Sequence, residues 1–305
     1  MSFDRVLITG GGGKLGGYTI DAAPDGQSIT VVDIAPSARR DVRFVQASVT
    51  DLEALSTAFA GHDAVVHLGA IPNQFEAGPE TVMSVNVQGT WNVFQAAKLA
   101  GVQRVVLCSS DSAVGLTVDP EQMDAPLYLP VDEAHPRRPT EAYGLSKLLG
   151  EVTARSFSQR GQLEVVVLRP MFVLFPYLHD ETIARARDPS NYTWPAAGAP
   201  RPAGGGPWCH YVDPEDVGRA VWLALGLEGI EYDVFFLGAP TTYAPEPTLD
   251  VVQRFFGKLP EVRKPDVYES NPHAPLFDTS HAREVLGFEG EGNGRRLIDV
   301  ALETR

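Results

Sequence analysis

The sequence has 305 residues, 44% hydrophobic and 21% charged, with a net charge of −14. It contains no apolar run of the ~18 residues a membrane span needs, and its acidic balance, with no basic run longer than two residues, argues against nucleic acid or an anionic membrane as partner. MSFDRVLITG reads as the approach to a strand and not as a signal peptide, and the distant Cys108 and Cys209 fit a reduced, cytoplasmic protein with no metal site.

In chain order, short apolar runs alternate with helical patterns. The runs are 5–9, 28–33, 43–47, 63–68, 104–110 and 163–169. None shows strict alternation, as expected of parallel strands buried on both faces. Helices are predicted between them. One begins at Thr50, with Glu53 completing a capping box. The others are TVMSVNVQGTWNVFQAAKLAG and TEAYGLSKLLGEVTARSFSQRG, each closed by glycine. The alternation predicts an α/β fold, a doubly wound, Rossmann-like parallel sheet. After Arg169 the chain turns rich in Pro, Gly, Ala and Trp (186–208), a helix returns over 214–229, and the tail holds short strands and a helix near 279–287. The reading is a dinucleotide-binding domain over 1–169, rejoined by 211–230, with a smaller, loop-rich substrate lobe from 170–210 and 231–305. Such a lobe would close the crevice beyond the carboxyl ends of the strands.

LITGGGGKLGGYTID places four consecutive glycines between the first strand and a helix starting near Lys14. Bare backbone there lets N–H groups approach a pyrophosphate resting on the positive helix end. Gly11, Gly13 and Gly16 fit one glycine register, and Gly10, Gly13 and Gly16 a second. Asp33, which ends the second strand 20 residues beyond Gly13, can accept both adenosine ribose hydroxyls and repel a 2′-phosphate. NAD is therefore expected over NADP. Arg39 and Arg40 follow and are read as solvated. Farther on, EAYGLSK puts Tyr143 and Lys147 one turn apart on a helix face. An ammonium beside a phenol lowers its pKa from ~10, so that tyrosine could exchange a proton with a substrate hydroxyl.

Together these segments resemble the extended short-chain dehydrogenases/reductases, the NAD-dependent epimerase/dehydratase family. The matching pieces are TGGGGKLG, DAVVHLGA, NVQGTWNVFQAAK, VVLCSS, YGLSK, LRPMFV, HYVDPEDVGRA and DTSHAREVLGF. The resemblance selects the Gly10, Gly13, Gly16 register and implies that Lys14 and Leu15 present backbone N–H groups to the pyrophosphate. It also implies cofactor contacts from Ser48, Val49, Leu68, Gly69, Ala70, Asn86, Pro170 and Phe172. It asks for a hydroxyl five residues before a glycine, and counting from Gly115 gives Ser110 as the residue that orients the reacting oxygen toward Tyr143, with Lys147 holding the nicotinamide ribose. Ser110, Asp111, Ser112, Tyr143 and Trp208 are the implied substrate contacts. A homodimer pairing 86–98 with 140–158 in a four-helix interface is also implied, and the apolar faces there allow it.

The departures narrow the substrate. Val114 replaces the usual tyrosine, Ser48 an adenine-contacting aspartate, and Phe175 a glycine. Pro207 and Trp208 stand where a basic residue is usual, while Arg185, Arg187, Arg201 and Arg263 lie elsewhere, which argues against a nucleotide-sugar. The dehydratases' Asp–Glu pair reads Asp111–Ser112, so elimination is not expected. HLGAI and SSDSAVG resemble the uronate dehydrogenases, but Asp111 replaces their asparagine and would repel a carboxylate substrate, leaving a neutral sugar, polyol or lactol. The expectation is an NAD-dependent oxidoreductase. An epimerase that retains its NAD and a non-catalytic redox sensor are the alternatives. His67 reads as a core histidine bonded to backbone, His210 and Cys209 as lacking partners, Asp216 as orienting a helix start, and Trp194 with Trp208 as flanking a Pro/Gly loop that could line a sugar face.

Overall fold

A computed structural model describes residues 3–39, 41–73, 76–116, 124–161, 163–187 and 208–303. Strands β1 (Arg5–Thr9), β2 (Ser28–Asp33), β3 (Arg43–Gln46), β4 (Ala64–His67), β5 (Arg104–Cys108), β6 (Tyr128–Leu129), β7 (Glu164–Pro170), β8 (Tyr232–Leu237) and β9 (Glu261–Val262) alternate with the helices. Seven form one parallel sheet in the order β3-β2-β1-β4-β5-β7-β8, and β6 pairs with β9 apart from it. The strand order reverses between β1 and β4, the switch point at which open α/β sheets bind ligands. Thr9 aligns with Val32 on one side and His67 on the other, so these strands deliver their loops to a common edge.

Successive residues of a strand face opposite layers. Val6 and Ile8 of β1 pack with Val31, Val66, Val217 and Val221, under helices α1 (Lys14–Asp21) and, after the strands, the later helix Pro214–Gly226. Leu7 turns the other way, toward Val65, Val105, Phe94 and Phe157. That layer holds α2 (Leu52–Phe59), the short α3 (Pro79–Val82), α4 (Gly89–Ala100) and α5 (Ala142–Gln159). α6 (His179–Arg187) leads into the lobe, α7 is the Pro214–Gly226 helix already met, and α8 (Thr248–Phe256), α9 (Pro265–Ser270) and α10 (Asn293–Glu303) follow. A third core, with Trp208, Tyr211, Val252, Leu276 and Phe277, fills the lobe.

Several expectations change. Asp51, not Thr50, caps α2: its carboxylate accepts the Ala54 N–H at 3.0 Å, while Thr50 is bonded to Ser48. The long helix over 81–101 is interrupted by a π-helical stretch, Met83–Gln88. The helix expected to reach 229 ends at Gly226. Residues beyond 230 do not all enter the lobe, because β8 adds the seventh strand along β7. Conversely, β6 carries part of the segment before 169 into the lobe. Among the described residues no helix is long and apolar enough to cross a membrane, and no group of three or more His, Cys, Asp or Glu is placed to hold a metal.

Candidate active site

The site lies beyond the carboxyl ends of β1, β2, β4, β5 and β7. Gly10 sits at φ +73°, and a Cβ there would lie 2.4 Å from the Gly69 N, so the turns after β1 and β4 touch through bare backbone. Gly13 is the N-cap of α1 and makes no side-chain cap bond, and the first turn holds no acidic residue. Among the described residues, the N–H groups opening α1 therefore meet no anion of the chain's own, the arrangement that binds a phosphate. Gly16 fixes the other end of the turn, since a Cβ there would lie 2.4 Å from the Gly11 carbonyl oxygen. A Cβ at Gly11 or Gly12 would likewise meet the Val31 side chain at 2.9 Å or the Ala35 carbonyl oxygen at 2.5 Å, so the whole turn is bare backbone, with Lys14 and Leu15 opening α1. The Lys14 ammonium lies 4.0 Å from the centre of the Tyr177 ring.

Asp33 braces this loop as well as facing it. Its Oδ2 accepts the Gly12 N–H at 2.9 Å and its Oδ1 the Ile34 N–H at 2.7 Å. Partial exposure and remaining lone pairs leave the carboxylate able to accept ribose hydroxyls. Uncapped helix end, glycine cradle and carboxylate together fit a dinucleotide. Arg39 pairs with Asp41 at 2.7 Å and with Asp21 and is not free to clamp a phosphate; Arg40 lies outside the described residues.

The loop after β4, with Leu68, Gly69 and Ala70, is pinned by Asn86. Asn86 Oδ1 accepts the Ile71 N–H at 2.8 Å, and its Nδ2 donates to the Ile71 carbonyl and the Ser146 hydroxyl at 3.1 and 3.0 Å. Asn86 belongs to the π-helical stretch, and such widened turns recur at functional sites. Val49 packs against both Gly69 and Gly89, and the Ser48 hydroxyl turns to Thr50 at 2.8 Å. Pro170 ends β7, and Phe172 is half-buried just beyond it.

His67 is a core residue, but its partners are hydroxyls and not backbone: Thr9 on Nδ1 at 2.7 Å and Thr90 on Nε2 at 3.1 Å. The Thr90 hydroxyl already donates to the Asn86 carbonyl at 2.6 Å, so Nε2 must carry the proton and Nδ1 accept from Thr9. Burial, with Lys147 nearby, pushes the imidazole down to about 3 and keeps it neutral.

The expected reactive groups converge after β5. Glu141 caps α5, accepting the Tyr143 N–H at 2.6 Å and the Gly144 N–H at 2.5 Å. Tyr143 is 9% exposed, and Ser110 lies near its phenol. The expected lowering of the phenol pKa is reversed. Burial pushes it up, and Cys108, Asp111 and Glu141 add to this against the Ser110 hydrogen bond. Lys147 is itself lowered by burial, and its ammonium donates to the Cys108 carbonyl at 2.9 Å, lying 5.7 Å from the Tyr143 ring centre. The phenol here is a protonated acid.

Two groups escaped the sequence reading. Glu151, fully buried on α5, accepts from Ser109 at 2.6 Å, from Arg169 at 2.9 and 2.7 Å and from Arg137 at 2.7 Å, tying β5, β7 and α5 together behind the site. Its position one turn after Lys147 was the only available hint. His210, expected to lack a partner, lies 2.9 Å from Asp111. Two other expectations also change. Trp208 is 1% exposed, packs on Phe255 and Phe256 and donates its indole N–H to the Leu116 carbonyl, so it offers no face to a sugar. Asp216 does not cap α7 but accepts the Glu291 N–H at 2.8 Å. Trp194 and Arg201 lie outside the described residues. Arg185, Arg187 and Arg263 bond to Tyr243, the Ala301 carbonyl and Glu261. Ser112 is buried in the turn Asp111–Val114.

A sequence model described as the NAD dependent epimerase/dehydratase family matches residues 6–238. L-arabinose 1-dehydrogenase (NAD(P)(+)) of Haloferax volcanii is 35% identical over 170 residues, 54% of this chain and 65% of that protein. Uronate dehydrogenase of Pseudomonas putida is 31% identical over 171 residues, 55% of this chain and 60% of that one. The matched stretch thus spans less than two thirds of these relatives' length. A short-chain dehydrogenase/reductase superfamily protein of Agrobacterium tumefaciens, solved with bound NAD, superposes with a TM-score of 0.69 at 26% identity, covering 98% of this chain and 96% of that one.

Proposed function

The chain belongs to the NAD-dependent epimerase/dehydratase family, and from that premise we propose that it is an NAD-dependent oxidoreductase of a small, free, sugar-like alcohol. The observation that carries the proposal is the meeting of Tyr143, Lys147 and Ser110 on the sheet edge that also presents the uncapped start of α1 and Asp33. NAD, when bound, supplies the acceptor for the substrate's hydride. Gly10, Gly13, Lys14, Leu15 and Gly16 would hold its pyrophosphate, Asp33 its adenosine ribose, and Ser48 and Val49 its adenine. Leu68, Gly69, Ala70 and Asn86 would wall the crevice, with Lys147 at the second ribose and Pro170 and Phe172 beside the reactive ring. Tyr143 exchanges the proton of the reacting hydroxyl.

Two features favour a neutral, free sugar. Asp111, beside Ser110, disfavours a carboxylate substrate. The lobe arginines Arg185, Arg187 and Arg263 are bonded within the chain and do not form a diphosphate clamp. The segments after Pro170, apart from α7 and β8, would form the substrate lobe together with β6. The protein would pair as a homodimer through α4 and α5, where Trp91, Leu99, Leu145 and Val152 leave apolar surface exposed.

The test is to incubate the protein with NAD and a panel of aldoses, polyols, uronates and UDP-glucose and follow NADH absorbance. A neutral sugar should give NADH. Interconversion of UDP-glucose without NADH would instead identify an epimerase. Tyr143→Phe should abolish turnover and leave NAD affinity nearly intact; equal loss of both would overturn the assignment.

A further inference from the structure

Phe175 stands where the resembled family carries a glycine, and the Lys14 side chain is left over, since only the backbone of Lys14 would serve the pyrophosphate. The fold brings the two together. The Lys14 ammonium makes no hydrogen bond or ion pair with any described residue; its partner is the exposed Tyr177 ring, whose centre lies 4.0 Å away. Tyr177 stacks on Phe175 at 5.7 Å and 14°, and Phe175 lies 6.0 Å from the ring of Tyr18 on α1.

Both rings sit on a strap that the lobe holds. Leu174 and Leu178 are buried in the lobe core. The Leu174 N–H donates to the Val212 carbonyl at 2.9 Å, and the Leu178 N–H closes a turn on the Phe175 carbonyl at 2.8 Å. Between these anchors Phe175 and Tyr177 turn to α1. In the sheet, β5 and β4 separate β7, where the strap begins, from β1, where the glycine turn begins. Neighbouring strands lie ~4.8 Å apart, so the contact joins segments that leave the sheet about 14 Å from each other. A dinucleotide with its pyrophosphate at the start of α1 and its reactive ring by Tyr143 would lie across the ends of these same strands.

We propose that Lys14 and Tyr177, backed by Phe175, form a clasp between the glycine turn and the lobe that must open for the dinucleotide to enter or leave. The proposal rests on the reading that the crevice binds NAD. The clasp retains the cofactor by enclosure. Ammonium and ring meet each other, so their contact weighs equally on entry and on exit, as a gate does. Lys14 has a second role that the ring lacks, because a cation beside the start of α1 attracts the pyrophosphate. Tyr177 and Phe175 are positioning residues, acting through Lys14.

Two measurements test the clasp. The first needs neither cofactor nor turnover: nuclear magnetic resonance of the full chain labelled with carbon-13 at lysine. A ring 4.0 Å from the ammonium shields the neighbouring methylene, so one signal, missing in Lys14→Met, should lie upfield of the usual lysine position and return to it in Tyr177→Leu. No such signal, or one unmoved by Tyr177→Leu, overturns the proposal. The second is stopped-flow fluorescence with NADH. Tyr177→Leu should raise the association and dissociation rates alike, by ~3- to 5-fold, the scale of an exposed cation–π contact, and leave Kd within ~2-fold. Lys14→Met should speed dissociation and also raise Kd, through the lost charge, and adding Tyr177→Leu to it should change neither rate further. Unchanged rates in Tyr177→Leu overturn the clasp. So does a rise in dissociation alone, the mark of an ordinary cofactor contact, or full additivity in the double variant. A wild type that binds no NADH overturns the cofactor reading and the gate with it, while the upfield signal still decides whether the contact exists.

Discussion

Glu151 offers a sharp test of the frame behind the site. Glu151 is 0% exposed and Arg169 only 2%, and the two share bonds of 2.9 and 2.7 Å. Arg169 Nη1 already has no partner among the described residues, so Glu151→Ala would leave a nearly buried guanidinium without its counter-charge. Breaking one side of a buried pair destabilises by roughly 3–5 kcal/mol, and Ser109 loses its acceptor as well, worth ~1 kcal/mol. Against a typical total of roughly 5–15 kcal/mol, that is a large fraction. Urea unfolding followed by circular dichroism should show the midpoint fall with little change in slope. Glu151→Gln, which keeps an acceptor but loses the charge, should fall between. A loss under ~1 kcal/mol, the range of an exposed pair, would refute the argument. The pH dependence has a definite sign. Burial pushes the Glu151 carboxyl up, but Arg169, Ser109 and Arg137 more than offset this and hold it below the usual range. Its contribution is therefore present above the unfolded value of ~4.3 and is lost as pH falls through the folded value.

The remaining predictions concern neighbouring features. Gly10→Ala forces a Cβ to 2.4 Å from Gly69 at a positive φ, so NADH fluorescence titration should show binding weakened at least ~10-fold, equivalent to ~1.4 kcal/mol; near-normal affinity would refute the close approach. Asp33→Asn should lose NAD affinity by ~10-fold or more and narrow the preference over NADP, with loop disorder added by the weakened Gly12 bond. His67 is neutral when folded and held to about 3, so it opposes protonation that the unfolded chain accepts below ~6.5. Its stability is whole above that pH and lost on acidification, and His67→Gln should remove about one proton from the uptake on unfolding between about pH 6 and 4. Trp91→Glu with Val152→Lys should turn a dimer into a monomer by light scattering; a wild type already monomeric would remove the proposed interface.

Much of the frame was legible because parallel strands buried on both faces leave apolar runs that cannot be mistaken for surface. β1 and β2 fall on their predicted residues, and β3, β4, β5 and β7 agree within two, while β6, β8 and β9 had no predicted bounds. Helix ends were less legible. Ser, Thr and Asp compete for the cap role, and at residues 50–51 the aspartate took it. The π-helical stretch left no trace in periodicity; within it Asn86 bonds across to Ile71, 15 residues away. The glycine register, Asp33, Ser110, Tyr143 and Lys147 could be nominated because short spacings and the family resemblance single them out. The pairing of Asp111 with His210 could not, since 99 residues separate them. The direction of the Tyr143 pKa was misjudged for a related reason: helical spacing puts Lys147 nearby, while the tertiary fold buries the phenol and so pushes it up, and sends the ammonium to the Cys108 carbonyl.

The lobe is a mosaic. β6, the stretch from Met171 through α6, the Trp208–Val212 strip and the segments after β8 come together only once the sheet has brought their anchors side by side. No single cut of the chain would release it as an autonomous module. Each of its pieces nevertheless hangs from a separate sheet strand or helix. Variation can therefore remodel the wall of the crevice one loop at a time.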